Sequence, residues 1–170
     1  MAATKNLADY ATFASITATG LASLASSTTL VAGWSLAEID NTTNKYLDEW
    51  ITAKFTVGTT PTANTSIEIW AVGKKNATTY HEGFDGTSKA VTVTREMLQA
   101  YGRLVAGITI ASTTSNIGYE LAGSVADACR AVVMPSKYQL FVVHNTGVAA
   151  NATGGNFVFD REGRGTSSGN

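Results

Sequence analysis

The chain has few cysteines, prolines, histidines and charged residues. Cys129 is the single cysteine among 170 residues, so no disulfide can form within the chain, and a disulfide-stabilised secreted module is excluded. There are two prolines and two histidines, and charged residues make up 15% of the chain, against roughly 25% in ordinary soluble domains. The fold must therefore be stabilised by packing, by association of subunits, or by both.

An excess of charge of one sign and long apolar runs are also missing from the sequence. The formal net charge of -1 provides no positive field that would attract a phosphate backbone or an anionic lipid surface. No window approaches the length of a membrane span, and the first ten residues, MAATKNLADY, contain no basic segment leading into an apolar stretch. We expect no nucleic-acid binding, no membrane association and no Sec-type export.

The residues that are abundant are typical of β-structure. Hydrophobic residues make up 44% of the chain, and Thr, Ser, Gly and Asn, which suit strands and turns, fill much of the rest. A chain of this length is expected to fold as one domain with a sizeable core. Residues 46–57 alternate with a period of two, which predicts a long strand. Its apolar side consists of Leu47, Ile51, Ala53, Phe55 and Val57.

Further strands are predicted where short β-branched and apolar runs lie between Gly, Asn, Pro and Thr turns. They cover residues 30–39, 66–72, 91–93, 104–110, 118–121, 138–144 and 156–160. A helical turn is predicted around residues 95–101, and residues 125–133 fit either a short helix or a strand. This set of short strands, without a repeat of 20 to 50 residues, predicts an all-β fold: a two-sheet antiparallel β-sandwich with jelly-roll-like topology.

The composition divides the chain into three parts. Residues 1–30 are an extended N-terminal arm, rich in Ala, Ser and Thr, in which Lys5 and Asp9 are the only charges. Residues 31–160 are the β-sandwich domain, and residues 161–170, rich in Gly and Ser, are a flexible tail. Because a nearly uncharged arm is poorly solvated, we expect it to lie either on its own domain or on another subunit.

Neither histidine stands in a pattern typical of catalysis or metal binding. His81 lies in a polar loop with Asp85 four residues later, but no third ligand follows at a supporting spacing. His144 ends an apolar strand and precedes an Asn-Thr-Gly turn, which favours a role in capping that turn. Cys129 lies among Ala and Val, the surroundings of a buried, inert thiol.

Carboxylate pairs and phosphate-binding loops are no better supported. Glu49 and Glu68, on neighbouring predicted strands, are the pair that a glycan-cleaving enzyme would use, but they are interpreted as ordinary outward-facing charges. The glycine-containing segment 150–156 lacks the lysine and the following helix of a phosphate loop. We therefore predict that the protein is not an enzyme, with no catalytic residue, no cofactor and no metal.

The tryptophans Trp34, Trp50 and Trp70 leave two interpretations open. By periodicity, Trp50 and Trp70 lie opposite the aliphatic side of their strands, where aromatic side chains can anchor a protein or carbohydrate contact. Alternatively, this face is buried beneath the arm or a loop. An interface or a cover is favoured over sugar binding. The predicted partner-binding residues are these two tryptophans and the apolar residues of the arm: Leu7, Tyr10, Phe13, Leu21, Leu24, Trp50 and Trp70.

Three parts of the chain resemble a family of small structural proteins from tailed bacteriophages. The first is LASSTTLVAG, residues 24–33. The second comprises IDNTTNKYLD at 39–48, TVGTTPTA at 56–63 and IEIWAVG at 67–73. The third comprises VVHNTGVA at 142–149 and TGGN at 153–156. These are turn-and-strand patterns rather than catalytic signatures, and together they span most of residues 24–158.

The resemblance is to capsid decoration, or cement, proteins. It implies a jelly-roll-like domain on the outside of the virion head, assembled in the host cytoplasm, that bridges major capsid protein subunits and stabilises the shell. It also implies self-association, often as homotrimers. The alternative that the residues leave open is a carbohydrate-binding or host-adhesion module of a head fibre or tail, which would bind a glycan through Trp50, Trp70 or the loop at residues 73–89.

Overall fold

The computed structural model describes residues 5–129 and 134–169. These residues contain eleven strands, two short α-helices and two single turns of 3-10 helix, at Thr19–Leu21 and Gly154–Asn156. The strands are β1 (Lys5–Tyr10), β2 (Ala14–Ser15), β3 (Ala32–Ser35), β4 (Ile39–Asp40), β5 (Asp48–Thr56), β6 (Thr65–Gly73), β7 (Lys89–Thr92), β8 (Gly102–Ile110), β9 (Gly118–Ser124), β10 (Lys137–His144) and β11 (Val158–Gly169). The helices are α1 (Arg95–Tyr101) and α2 (Val125–Cys129).

Two antiparallel sheets face each other. The first sheet has the order β1-β11-β5-β9, and β2 follows β1 along the same edge of β11. The second sheet has the order β7-β3-β10-β6-β8, and β4 continues the line of β3 beside β10. The prediction of an all-β, two-sheet antiparallel sandwich is confirmed.

The strand pairs are nested in the manner of a jelly roll. If β1 with β2, and β3 with β4, are each counted as one interrupted strand, the first strand pairs with the last, the second with the next to last, and so inward to β6 with β8. The nested pairs alternate between the two sheets, which is the connectivity of a jelly roll. β7 is an addition at the edge of the second sheet.

The core lies between the sheets and follows the alternation of the strands. On β5, Ile51, Ala53 and Phe55 are buried, whereas Trp50 and Lys54 point away from the core. Burial of a large aliphatic or aromatic side chain stabilises a fold by about 1.5–3 kcal/mol, so this inner face is the main source of stability. Its largest fully buried members from other strands are Tyr138, Phe159, Ile67, Ile69, Ile110 and Leu140.

A second apolar cluster covers the outer face of the second sheet. Trp70, Phe141 and Val143 on that face are buried beneath α1 and the segment at residues 74–88. Gln139 links the segment to the sheet, because its side chain donates to the Thr87 carbonyl (3.0 Å) and accepts from the Gly86 backbone N–H (2.8 Å). This cover explains why β10 is buried on both faces.

The N-terminal arm lies on its own domain. Residues 5–16 run along the free edge of β11, and the 3-10 turn that follows places Leu21 in the core. Further along, the Ser27 N–H donates to the His144 carbonyl at 2.8 Å. Of the two positions that the sequence left open for the arm, the structure has the intrachain one, because β11 offers it an unpaired edge. Residues 1–4 lie outside the described residues.

The predicted flexible tail is different in the structure. β11 does not end near Asp160 but continues to Gly169, paired first with β5 and then with β1. A run of Gly, Ser and Thr has no apolar alternation of its own, so the sequence alone indicated a tail. The arm supplies the strand partner that makes the extended conformation favourable, and Asn170 lies outside the described residues.

The two helices are short. α1 begins after Thr94, whose hydroxyl accepts from the Met97 N–H at 3.1 Å and so caps the helix. The helical turn predicted at residues 95–101 coincides with α1. The segment left open as helix or strand is helical over Val125–Cys129, and residues 130–133 lie outside the described residues.

Candidate interaction surface

The residues with catalytic or ligating side chains are dispersed. Within residues 5–129 and 134–169, no group of three or more His, Cys, Asp or Glu side chains is placed to hold a metal ion. His81 stacks on Tyr101, with ring centres 4.1 Å apart, and Asp85 forms an ion pair with Lys89 at 2.7 Å. The lysine and the Thr87 hydroxyl hold the pKa of Asp85 well below its usual range.

His144 is fully buried and joins the arm to the core. Its Nδ1 lies 2.9 Å from the Thr146 hydroxyl, in the turn that His144 was expected to cap, and its Nε2 lies 3.1 Å from the Leu24 carbonyl. Since a carbonyl only accepts, Nε2 carries the proton and donates. Burial lowers the pKa of His144, although the Leu24 carbonyl acts in the opposite direction. Cys129 is half-buried, and burial raises the pKa of its thiol.

The interpretation of Glu49 as an outward-facing charge is wrong, whereas Glu68 does lie on the outer face of its sheet. β5 and β6 belong to different sheets, so the two carboxylates cannot face each other as a pair. Glu49 is fully buried between the sheets, where it accepts a hydrogen bond from the Tyr138 hydroxyl and lies 2.6 Å from Nη1 of Arg161. The burial of Tyr138 and its interaction with the neighbouring Glu49 carboxylate raise the pKa of the Tyr138 phenol.

Glu68 is part of the cover of the second sheet. Its carboxylate forms a bidentate ion pair with Arg95, at 2.7 and 3.1 Å, and accepts a hydrogen bond from Trp70 Nε1 at 2.8 Å. The Arg95 guanidinium in turn lies over the Trp70 ring, 5.0 Å from its centre. Trp70 is 7% exposed, so its assignment as a partner-binding residue is corrected: α1 and its own sheet enclose it.

The predicted residues of the arm divide into two groups. Leu21 is fully buried, so it is a structural residue and not a contact residue, which corrects its assignment. Leu24 is partly buried and packs against the core. Tyr10 and Phe13, in contrast, are 62% and 53% exposed. Leu7 lies on β1, and its side chain is outside the described part of the structure.

A row of three large side chains crosses the outer face of the first sheet. Tyr10 on β1 is in register with Arg164 on β11, which is followed by β5 and Trp50. The Arg164 guanidinium lies 4.7 Å from the centre of the Trp50 ring and 5.9 Å from that of Tyr10. Glu162 holds the guanidinium through an ion pair of 3.1 Å to Nε. Tyr10, Arg164 and Trp50 are called the aromatic row below.

Arg164 was not predicted as a site residue, because residues 161–170 were expected to form a flexible tail. The signal that would have found it is the two-residue period of Val158, Asp160, Glu162 and Arg164, which continues the alternation of the last strand. All of these positions lie on the outer face of the first sheet, since their partners on β5 are the outward residues.

The outer face of the first sheet is open to solvent among the described residues. Beside the aromatic row, a shallow groove is lined by Thr52, Lys54, Glu120, Ala122 and Val158. Val158 is 44% exposed. Tyr, Trp and Arg, the residue types of the aromatic row, are enriched in protein interfaces, whereas Lys and Glu, which line the groove, are depleted there.

At one end of the second sheet, two lysines form ion pairs with carboxylates of the same chain. Lys137 lies 2.6 Å from Asp40 and 3.1 Å from Glu38, which also receives Lys74 at 3.1 Å. The hydrogen bond from Lys137 holds the pKa of Asp40 well below its usual range. These lysines are therefore engaged with carboxylates of their own chain.

No helix among the described residues combines the length and the apolar character needed to cross a membrane. Comparison of the chain with protein-family models, with curated proteins and with solved structures gives no match.

Proposed function

We propose that this protein decorates the outside of a tailed-bacteriophage head, where it bridges major capsid protein subunits and stabilises the shell. The observation that carries the proposal is the open outer face of the first sheet, with the aromatic row at its end. The three segments that resemble capsid decoration proteins support the same function.

The two outer faces of the sandwich differ in a way that favours this role. The face of the second sheet is covered by α1 and residues 74–88, so it offers little further apolar area. The face of the first sheet presents Tyr10, Trp50 and Arg164, residue types that supply much of the binding energy in protein interfaces. We therefore assign the capsid contact to the first sheet.

Stabilisation of the shell would follow from mass action. A protein that binds the assembled lattice and not its dissociated subunits lowers the free energy of the assembled state, by an amount that grows with the free protein concentration. No catalytic step is needed.

Cosedimentation tests the proposal. Purified protein is mixed with capsids of the phage that encodes it, stripped of accessory proteins, and the bound copies and the temperature of capsid disruption are measured. We expect saturable binding at a stoichiometry that matches the lattice and a higher disruption temperature. No binding to such capsids would refute the proposal.

Matched tyrosine and tryptophan variants locate the contact. Tyr10→Ala and Trp50→Ala should each weaken capsid binding by about fivefold or more, the loss expected of a contact residue that contributes over about 1 kcal/mol. Tyr101→Ala is the control, because Tyr101 is similarly exposed (55%) but lies on α1, at the other sheet. Equal binding by all three variants would mean that the first sheet is not the contact.

A deletion that tests the arm must leave the core residues of the arm in place. Removal of residues 1–30 would also remove Leu21 from the core, so loss of binding could reflect unfolding. Deletion of residues 1–13 removes the exposed Tyr10 and Phe13 and retains Leu21. Tight binding of this shortened protein to capsids would exclude residues 1–13 from the contact.

In the glycan-binding alternative, Trp70 cannot contact a sugar because it is buried, which leaves Trp50 as the tryptophan that could bind a glycan. It makes a distinct prediction: binding on a glycan array that is abolished by Trp50→Ala would favour it over the capsid contact. The homotrimer implied by the resemblance stays a prediction, and sedimentation of the purified protein would distinguish it from a monomer or a dimer.

A further inference from the structure

The two terminal strands form a ribbon that continues past the body of the first sheet. β11 pairs with β5 from Val158 to Arg164 and with β1 from Arg164 to Gly169. Asp48, opposite Arg164, is the first residue of β5. Beyond Arg164, β11 therefore has a strand on one side only, among the residues that the structure describes.

The backbone groups that face this open side can be identified. The Gly163 carbonyl accepts a hydrogen bond from the arm, and the Arg164 carbonyl accepts one from the residue that precedes β5. Since N–H and C=O groups of successive residues point to opposite edges of a strand, Thr166 and Ser168 direct theirs to the β5 side. The described residues place no strand there to receive them.

We propose that this open edge pairs with the same edge of a second copy of the chain, antiparallel and about a two-fold axis at Ser167. Thr166 of each copy then exchanges both of its backbone hydrogen bonds with Ser168 of the other, so that all the open groups are satisfied. The two sandwich bodies lie at opposite ends of the joined ribbons, since β11 enters the contact from opposite directions in the two copies.

Three features of the ribbon fit a second copy of the chain. An antiparallel edge is self-complementary about a two-fold axis. The residues from Gly165 to Gly169, with the sequence GTSSG, contain no charge and no proline, the devices that usually protect an exposed edge. A two-stranded ribbon is marginal in water and three or more strands are needed for stability, and the contact converts two such ribbons into one four-stranded sheet.

Disulfide trapping tests the contact directly. At the two-fold axis, Ser167 faces its own copy at a non-hydrogen-bonded position, where the Cα atoms are about 4.5 Å apart, within the range that a disulfide spans. Ser167→Cys in a Cys129→Ser background should form covalent dimers under mild oxidation. Thr113→Cys in the same background is the control, on an exposed loop. Equal dimer yields from the two cysteine variants would overturn the proposal.

Sedimentation of the unmodified protein supplies an independent readout. The mass should rise from 17.7 kDa towards twice that value as the concentration approaches ~1 mM, where even millimolar affinity populates dimers. Thr166→Pro should remain monomeric, because it removes an open-edge N–H and leaves the pairing with β1. Thr166→Ala, which keeps the N–H, should still dimerise.

Three results would overturn the proposal: a mass that stays at one chain, a mass of three chains, or a Thr166→Pro variant that associates like the intact protein. A contact between identical edges produces pairs and cannot close a ring of three. The inference does not depend on capsid binding, so the two proposals stand or fail separately.

Discussion

Arg161→Met should destabilise the protein more than Glu49→Gln, although both substitutions break the same ion pair. The Glu49 carboxylate is fully buried, whereas the Arg161 side chain remains 25% exposed. Without Arg161, the buried charge of Glu49 keeps only the hydrogen bond from Tyr138. Without the charge of Glu49, the Arg161 guanidinium can turn to water, and the glutamine still accepts from Tyr138.

The magnitudes follow from this asymmetry. An uncompensated buried charge costs about 3–5 kcal/mol, whereas the loss of one charge-assisted hydrogen bond with a solvated partner costs about 1–2 kcal/mol. With a slope of roughly 2 kcal/mol per molar urea, Arg161→Met should lower the unfolding midpoint by about 1.5–2.5 M. Glu49→Gln should lower it by about 0.5–1 M.

Urea unfolding followed by tryptophan fluorescence at pH 7 measures both effects. Lys89→Met is the control, because the Lys89–Asp85 pair is exposed on both sides, at 39% and 49%, and exposed pairs contribute about 0–1 kcal/mol. If Glu49→Gln proved as damaging as Arg161→Met, or if Arg161→Met behaved like Lys89→Met, the account of Glu49 as a buried charge that depends on Arg161 would be refuted.

Two further predictions concern the core. Burial lowers the pKa of His144 from 6.5, so as the pH falls the histidine is protonated in the unfolded chain before it is protonated in the folded protein. The contribution of His144 to stability should therefore be full above about pH 6.5 and decrease as the pH drops towards the folded-state pKa. His144→Gln should flatten the pH dependence of the urea midpoint, and an unchanged slope would contradict this. Gly123→Ala should destabilise by about 1–3 kcal/mol, because a Cβ there would lie 2.0 Å from the Val105 carbonyl oxygen, where β9 passes β8. Gly155→Ala, with nothing within 4 Å, should be neutral in the same thermal melts, and equal melting temperatures for the two variants would exclude the close approach.

Local alternation was sufficient to predict most of the strands. The runs that became β5 and β6 combine β-branched residues with a period of two, those that became β8 and β10 are short apolar runs, and all four are followed by turns that contain Asn, Gly or Pro. Such signals depend on a few adjacent residues, so they can be read without knowledge of the partner strand. The helical turn at residues 95–101 could be predicted for the same reason, and the capping hydroxyl of Thr94 precedes it directly.

The burial of single side chains could not be predicted in this way. Glu49 shares the face of Ile51 and Phe55, so alternation places it on the inner side of β5, but the groups that satisfy its buried carboxylate, Arg161 and Tyr138, are distant in sequence. Trp70 lies on the opposite face of its strand from the core, where α1 covers it. Periodicity assigns a residue to a face of a strand. It does not state whether another element covers that face.

An all-β domain without an internal disulfide could be predicted from the residues alone, because composition and alternation are local properties of the chain. The pairing of the two terminal segments, the place of Leu21 in the core, and the row of Tyr10, Arg164 and Trp50 became apparent in the folded chain. These contacts join residues far apart in sequence, and a strand edge selects its partner by the geometry of the whole sheet.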